Sequence, residues 1–204
     1  RFDIGQSRCA TKLYLLEWSP DASYILFACY NSNIIVFSLS GYQVGELEIE
    51  PMLKSIDIIS MSWWTNHFSE NQTSTLDKKL MIAFKNGMIF LYNDYMDTKP
   101  FKIITEFSEI TKAEWNPLGD IIAVTGFNTE GNERKDDISF YSPQGEILKT
   151  LKIPSVITSF CWDGLGNKIA ITTESLILFT LVKQKYKWTY FNDTLVYSFM
   201  TETE

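Results

Sequence analysis

The sequence predicts an all-β fold of repeated four-stranded antiparallel units, on three observations. Tryptophans recur at a regular interval, each repeat carries the same order of strands and turns, and aromatic residues are abundant. The tryptophans that align are Trp18, Trp63, Trp115 and Trp162, at intervals of 45, 52 and 47 residues. Trp18 is followed by Ser19-Pro20-Asp21, Trp115 by Asn116-Pro117-Leu118-Gly119, and Trp162 by Asp163-Gly164-Leu165-Gly166. Trp63 opens the same unit with a polar insertion in place of the turn. Aromatics make up 15% of the 204 residues, which suits half-buried pleated sheets.

Within each unit a short strand ends at the Trp, and a turn of Pro, Asp, Gly or Asn follows. The second strand is apolar: Tyr24 to Tyr30, Leu80 to Phe84, Ile121 to Gly126, and Ile169 to Thr173. The third is Ile34 to Phe37, Met88 to Tyr92, Ile138 to Tyr141, and Leu176 to Leu181. Asn86-Gly87 between the second and third strands reads as a type I′ hairpin turn, since both residues tolerate positive φ. Two units show an outer strand, Val44 to Ile49 after Ser40-Gly41 and Ile147 to Ile153 after Pro143-Gln144-Gly145.

Four short strands joined by hairpins make a propeller blade, and blades run about 40–45 residues. The fold class is therefore all-β, a WD40-type β-propeller. One blade cannot bury both faces, and stacking neighbours does so. The middle strands are apolar at nearly every residue, as strands covered on both sides should be, whereas Glu46-Leu47-Glu48-Ile49-Glu50 alternates like an edge facing water. Trp18, Trp63, Trp115 and Trp162 are expected to be structural blade core. Residues 1–182 read as four consecutive blades of a larger ring, expected to be seven-bladed. Residues 183–204 read as an aromatic-rich tail leading to a closing strand or a next propeller. Arg1 opens no leader-like stretch, and the chain reads as an excerpt from a longer protein.

The formal charge is −7, which argues against the basic stripe that supplies most nucleic-acid affinity; Lys183, Lys185 and Lys187 are the best local exception. Cys9, Cys29 and Cys161 are odd in number and lack CxxC spacing, so they read as reduced thiols, with Cys29 and Cys161 as small core residues. The sequons at Asn71 to Thr73 and Asn192 to Thr194 read as chance.

Catalytic, cofactor and metal sites are each expected to be none. The single histidine, His67, lies in a polar loop with no ligand cluster beside it. No nucleophile elbow, GxGxxG or P-loop is present. The carboxylates Glu130, Glu133, Asp136 and Asp137 stand with Arg134 and Lys135, which reads as a solvated loop more readily than a cation site. No small-molecule substrate is implied.

What remains is surface. Polar insertions at Thr65 to Lys79 and Phe127 to Asp136 interrupt the blade pattern, and such loops carry partner contacts in many scaffolds. The tail Tyr186-Lys187-Trp188-Thr189-Tyr190-Phe191 concentrates aromatics, so Tyr186, Trp188, Tyr190 and Phe191 are the candidate protein interface. Packing of the tail under the last blade is the structural alternative.

The run Lys185-Tyr186-Lys187-Trp188-Thr189-Tyr190, with Asn192, Thr194, Val196 and Tyr197, resembles the end of the amino-terminal propeller of the intraflagellar transport protein 121 (WD-repeat protein 35) family. So do Thr111 to Phe127, Phe140-Tyr141-Ser142-Pro143-Gln144-Gly145-Glu146 into Leu151-Lys152-Ile153-Pro154, and Ile157-Thr158-Ser159 before Trp162. The resemblance implies a non-catalytic scaffold in intraflagellar transport complex A, without cofactors, supporting retrograde ciliary transport and ciliary entry of membrane cargo. It implies as partners the other complex subunits, with membrane cargo or tubby-like adaptors beside them. It implies the cytoplasm and the cilium, at axoneme and basal body. A tubby-like family with a similar propeller is readily confused with it, and would imply a substrate adaptor for ubiquitin ligation. Vesicle-coat propellers come next.

Overall fold

The computed structural model describes residues 12–30, 32–65, 78–130, 133–182, 186–191 and 194–199. Three four-stranded antiparallel sheets follow one another along the chain. The first is β1 (Leu13–Trp18), β2 (Tyr24–Cys29), β3 (Ile34–Ser38) and β4 (Gln43–Leu47). The second is β5 (Ile58–Thr65), β6 (Lys78–Phe84), β7 (Met88–Tyr92) and β8 (Phe101–Ile104), and the third β9 (Glu109–Trp115), β10 (Ile122–Glu130), β11 (Glu133–Tyr141) and β12 (Ile147–Lys152). A three-stranded sheet follows, β13 (Ile157–Trp162), β14 (Lys168–Thr173) and β15 (Ile177–Leu181). The hairpin β16 (Tyr186–Phe191) and β17 (Thr194–Phe199) is a separate pair. In every sheet the strands lie in sequence order, so each is a meander of the kind the repeat predicts.

The turns explain where strands stop. The residue after an aligned Trp closes the first turn with both its carbonyl and its side chain. Asn116 O accepts from Gly119 N at 3.0 Å, and Asn116 Oδ1 accepts from Asp120 N and Ile121 N at 3.1 Å each. Asp163 does the same for Gly166, Asn167 and Lys168, and Ser19 for Ala22 and Tyr24. Short polar side chains that bond backbone a few residues on are what such turns need. The turn at Asn86-Gly87 differs from the type I′ expectation. Only Gly87 has positive φ, at 87°, and its N–H donates to Phe84 O at 3.3 Å, so this is a three-residue loop ending in left-handed Gly.

Burial follows from the strand alternation. In β6, Leu80, Ile82 and Phe84 pack on the first sheet with Leu26, Ala28, Ile34 and Val36. Met81 and Ala83, on the other face of the same strand, pack on the third sheet with Ile110, Ala113, Trp115, Ile122 and Val124. The third and fourth sheets share Ala123, Ile138 and Phe140 with Phe160, Ile169 and Ile171. A strand covered on both sides has no polar face to spare, which is why these read as continuous apolar runs. The β4 region alternates as expected, with Leu47 and Ile49 buried and Glu46, Glu48 and Glu50 exposed.

First strands of neighbouring sheets lie side by side, β5 between β1 and β9. They are latched laterally. Ile58 N donates to Tyr14 Oη at 2.9 Å, Trp63 N to Glu17 Oε1 at 3.2 Å, and Ala113 N to Ser60 Oγ at 3.0 Å. Lys112 Nζ reaches Phe160 O at 2.6 Å. These bonds satisfy backbone groups on the strand edge farthest from the sheet interior.

The tryptophans do not share one environment. The register sets Trp18, Trp63, Trp115 and Trp162 opposite Ile25, Leu80, Ile122 and Ile169. The last three partners all face the preceding sheet, so their Trp do too. Trp115 is 6% exposed, and Trp63 and Trp162 are half-buried. Trp18, expected in the blade core, is 47% exposed among the described residues. Its side of β1 is the side a preceding blade would cover, and the described residues contain no such blade. Cys161 is likewise exposed and not a core residue, because it lies on the following side of the fourth sheet; Cys29 is buried.

Two more elements depart from the sequence reading. The second unit has an outer strand, β8, which a stretch as short as Phe-Lys-Ile-Ile does not announce. Phe127 to Glu130 and Glu133 to Asp136 are strand and not loop. Phe127 pairs with Asp136, Asn128 with Lys135 and Thr129 with Arg134, so β10 and β11 run on as a two-stranded arm.

Candidate interaction surfaces

Hairpins alternate ends, so first turns and third turns gather at one end of the stack. Second turns and the connections between sheets gather at the other. Thr65 and Lys78, which flank the insertion after Trp63, belong to the first end and the β10–β11 arm to the second.

The arm is braced on both sides. Ser108 N and Oγ donate to Asn128 Oδ1 at 2.7 and 3.0 Å. The Arg134 guanidinium lies 4.0 Å from the centre of the Phe127 ring and donates to both oxygens of Asp136. Asp136, 4% exposed, also accepts the Ile157 N–H of the next sheet at 3.1 Å, and its own carbonyl accepts from Ile153 N. The hydrogen bonds to Asp136 hold the Arg134 pKa above its ordinary value. The expected solvated loop thus splits: Asp136 is a buried cross-sheet latch, while Glu133 and Lys135 are exposed. Among the described residues no three His, Cys, Asp or Glu side chains converge as metal ligands.

At the opposite end, sequence reasoning missed a polar-aromatic cluster joining the first two sheets. Lys78 Nζ stands 5.6 Å from the Tyr24 ring centre, 5.5 Å from that of Trp63, and 3.4 Å from Asp94 Oδ2. Tyr24 Oη donates to Asp94 at 3.2 Å, and burial with Asp94 beside it drives the phenol far above its ordinary pKa. Tyr95 stacks edge-on against Tyr24 at 4.9 Å. The aromatics alone were visible in the sequence, whereas their meeting depends on the stacking of sheets. Nearby, Ser19 and then Ser23 hold Asp21 down at about 2. At the same end Trp64 lies against Gly119, where a Cβ would overlap the indole. Trp64, overlooked beside Trp63, therefore faces the third sheet.

The following face of the fourth sheet is apolar and exposed. Cys161, Ala170, Phe179 and Leu181 line a groove of about 540 Å³ there, with Phe179 80% exposed. Of the aromatic tail, the backbone is described: Tyr186 pairs with Phe199, Trp188 with Tyr197, Tyr190 with Leu195 and Phe191 with Thr194. The side chains of Tyr186, Trp188, Tyr190 and Phe191 lie outside the described residues, as do Cys9, His67, Asn71 to Thr73, Lys183, Lys185 and Asn192. No described helix is long and apolar enough to cross a membrane.

This architecture of meandering sheets stacked face to face overlays a chain of the mitotic checkpoint complex crystal structure. The TM-score is 0.58 over 94% of this chain and 54% of that one, at 16% identity, which speaks to fold alone. The WDR35/TULP4 N-terminal β-propeller model matches residues 4–183. The chain belongs to this family. Human WD repeat-containing protein 35 is 29% identical over 201 residues, 96% of this chain. Mouse tubby-related protein 4 is 25% identical over 191 residues, 76% of this chain. The chain spans 17% of the length of the first and 12% of the second. As a WDR35/TULP4-type module, it is a WD-repeat β-propeller in which the Trp-bearing first strands β5 and β9 are each docked to the first strand of the preceding sheet.

Proposed function

We propose that the chain is part of a non-catalytic protein-interaction scaffold, a subunit of intraflagellar transport complex A. In this reading it serves retrograde ciliary transport and ciliary entry of membrane cargo. It works in the cytoplasm and cilium, holding the other complex subunits as partners, with cargo or tubby-like adaptors engaged alongside. The observation that carries the reading is the similarity to WD repeat-containing protein 35 along 96% of the chain. The chemistry agrees: Tyr14, Glu17, Ser60 and Asp136 each accept a backbone N–H of a neighbouring sheet and latch the sheets together. Residues 1–182 act as blades and 183–204 as a tail whose aromatic residues Tyr186, Trp188, Tyr190 and Phe191 make a partner contact.

Similarity to tubby-related protein 4 favours a second reading, a substrate adaptor of a ubiquitin ligase. Affinity capture of the tagged full-length protein from ciliated cells, with quantitative mass spectrometry, separates the two. Near-equal recovery of the other complex A subunits is expected. Recovery of ubiquitin-ligase components in their place would transfer the case to the adaptor.

A further inference from the structure

The cluster between the first two sheets has the composition of an ammonium site. Lys78 shares a face of β6 with Leu80, and Leu80 stands opposite Trp63, so all three face the first sheet. Tyr24 meets them from that sheet. The Lys78 ammonium lies 5.5 Å from the Trp63 ring centre, 5.6 Å from that of Tyr24 and 3.4 Å from Asp94 Oδ2. Aromatic faces attract cations, and cages built of them hold alkylated ammonium groups. The carboxylate is itself fixed. Its Oδ1 accepts the Tyr24 hydroxyl at 3.2 Å and the Tyr95 N–H at 2.6 Å, which leaves Oδ2 for the cation. Tyr95 lies edge-on to Tyr24 and covers Gly45, where a Cβ would meet its ring at 3.5 Å. The Lys78 side chain is only 21% exposed. A lysine at the start of a strand ordinarily keeps its head in water, so ordering this one costs side-chain entropy that the site must offset. The repeat does not ask for it. The joint between the second and third sheets is closed instead by the rings of Trp64 and Trp115, 6.2 Å apart.

We propose that Tyr24, Trp63 and Asp94 form a binding site for a primary or N-methylated alkylammonium group, which Lys78 fills from within the chain. Filled, the site ties the third turn of the second sheet, through Asp94 and Tyr95, to the first sheet. Occupancy depends on charge: methylation of Lys78 would keep the site filled, and acylation would empty it. The site stands apart from the scaffold reading, because every group in it belongs to these two sheets.

The test is hydrogen exchange on the full-length protein. Lys78→Met keeps a stem of similar length without the charge. It is expected to speed exchange of segment 92–97 at least tenfold while segment 122–126 in β10 keeps its rate. Lys78→Ala removes the stem as well. Propylammonium chloride should then slow exchange of segment 92–97 at least threefold, and 1-propanol or sodium chloride at the same concentration should not. A Lys78→Met protein that exchanges like the parent would overturn the proposal, because packing of the stem would then hold the joint. So would an alanine variant that 1-propanol or sodium chloride protects as well as propylammonium does. These outcomes read the cation alone, so their failure leaves the scaffold reading to the capture experiment.

Discussion

Ala22 occupies the place in the first turn that Gly119 and Gly166 occupy in the third and fourth units, with φ of 54° against 72° and 70°. A Cβ in the left-handed region costs about 1–2 kcal/mol, so Ala22→Gly should stabilise the chain by about 0.5–1 kcal/mol after the loss of unfolded-state restriction. A denaturant midpoint measures it, and no shift would mean the turn relaxes around the methyl. Gly119→Ala should do the reverse and cost at least ~2 kcal/mol, since the methyl would enter the Trp64 ring as well as the disfavoured φ. Glu17 offers a test against pH. Its carboxyl accepts the Trp63 N–H, yet burial outweighs that bond and raises its pKa. The folded chain then holds this proton more tightly than the unfolded one, so the group costs stability above its folded pKa and none below the unfolded value. Glu17→Gln, which keeps an oxygen acceptor, should raise the melting temperature at pH 8 and converge with the parent below about pH 4. Equal melting at both pH values would contradict this.

Strands and turns were legible at the scale of the element wherever one residue decides them. Trp followed by Ser, Asn or Asp announces the first turn, with Gly closing it in the third and fourth units, and Met88 to Tyr92 was read with the bounds it has. The Phe127 to Asp136 arm was not legible, because its pairing depends on Asn128 reaching Ser108 and Asp136 reaching Ile157, partners 20 and 21 residues away. Side chains as polar as Asn128, Lys135 and Arg134 look like loop until those anchors are known. Asp136→Ala should therefore destabilise by about 2 kcal/mol, leaving the Ile157 N–H and the Arg134 guanidinium without their acceptor. Urea denaturation checks it; a loss below 0.5 kcal/mol, an order-of-magnitude threshold for a surface change, would restore the solvated-loop reading. The tryptophans were found as a set, but what each one buries was hidden, since the repeat shows the position and not the neighbour. Trp115→Ala should cost about 3–5 kcal/mol. Trp18→Ala in these 204 residues should cost less than about 1.5 kcal/mol, because nearly half of its surface is open. Equal losses would mean that another segment covers Trp18.

At the scale of the whole molecule, the two ends of the stack are complementary in kind. The first sheet presents Leu16 and Trp18 on the side where the other sheets meet a predecessor, and the fourth presents Phe179 and Leu181 on the side where they meet a successor. Exposed faces of this sort associate, so residues 1–204 alone should self-associate in solution. A monodisperse, cooperatively melting monomer in light scattering and calorimetry would count against four blades of a larger ring. The class of fold was open to sequence reasoning because every blade repeats the same local rules. Partner choice was not, because it resides in exposed residues that no repeat constrains. The central claim, a scaffold that engages several proteins at once, is tested most directly by cross-linking mass spectrometry of the full-length protein in the assemblies it forms in ciliated cells. Cross-links from lysines of this propeller to two or more other polypeptides, recurring at fixed positions, are the predicted result. Cross-links confined to the protein itself would contradict the account.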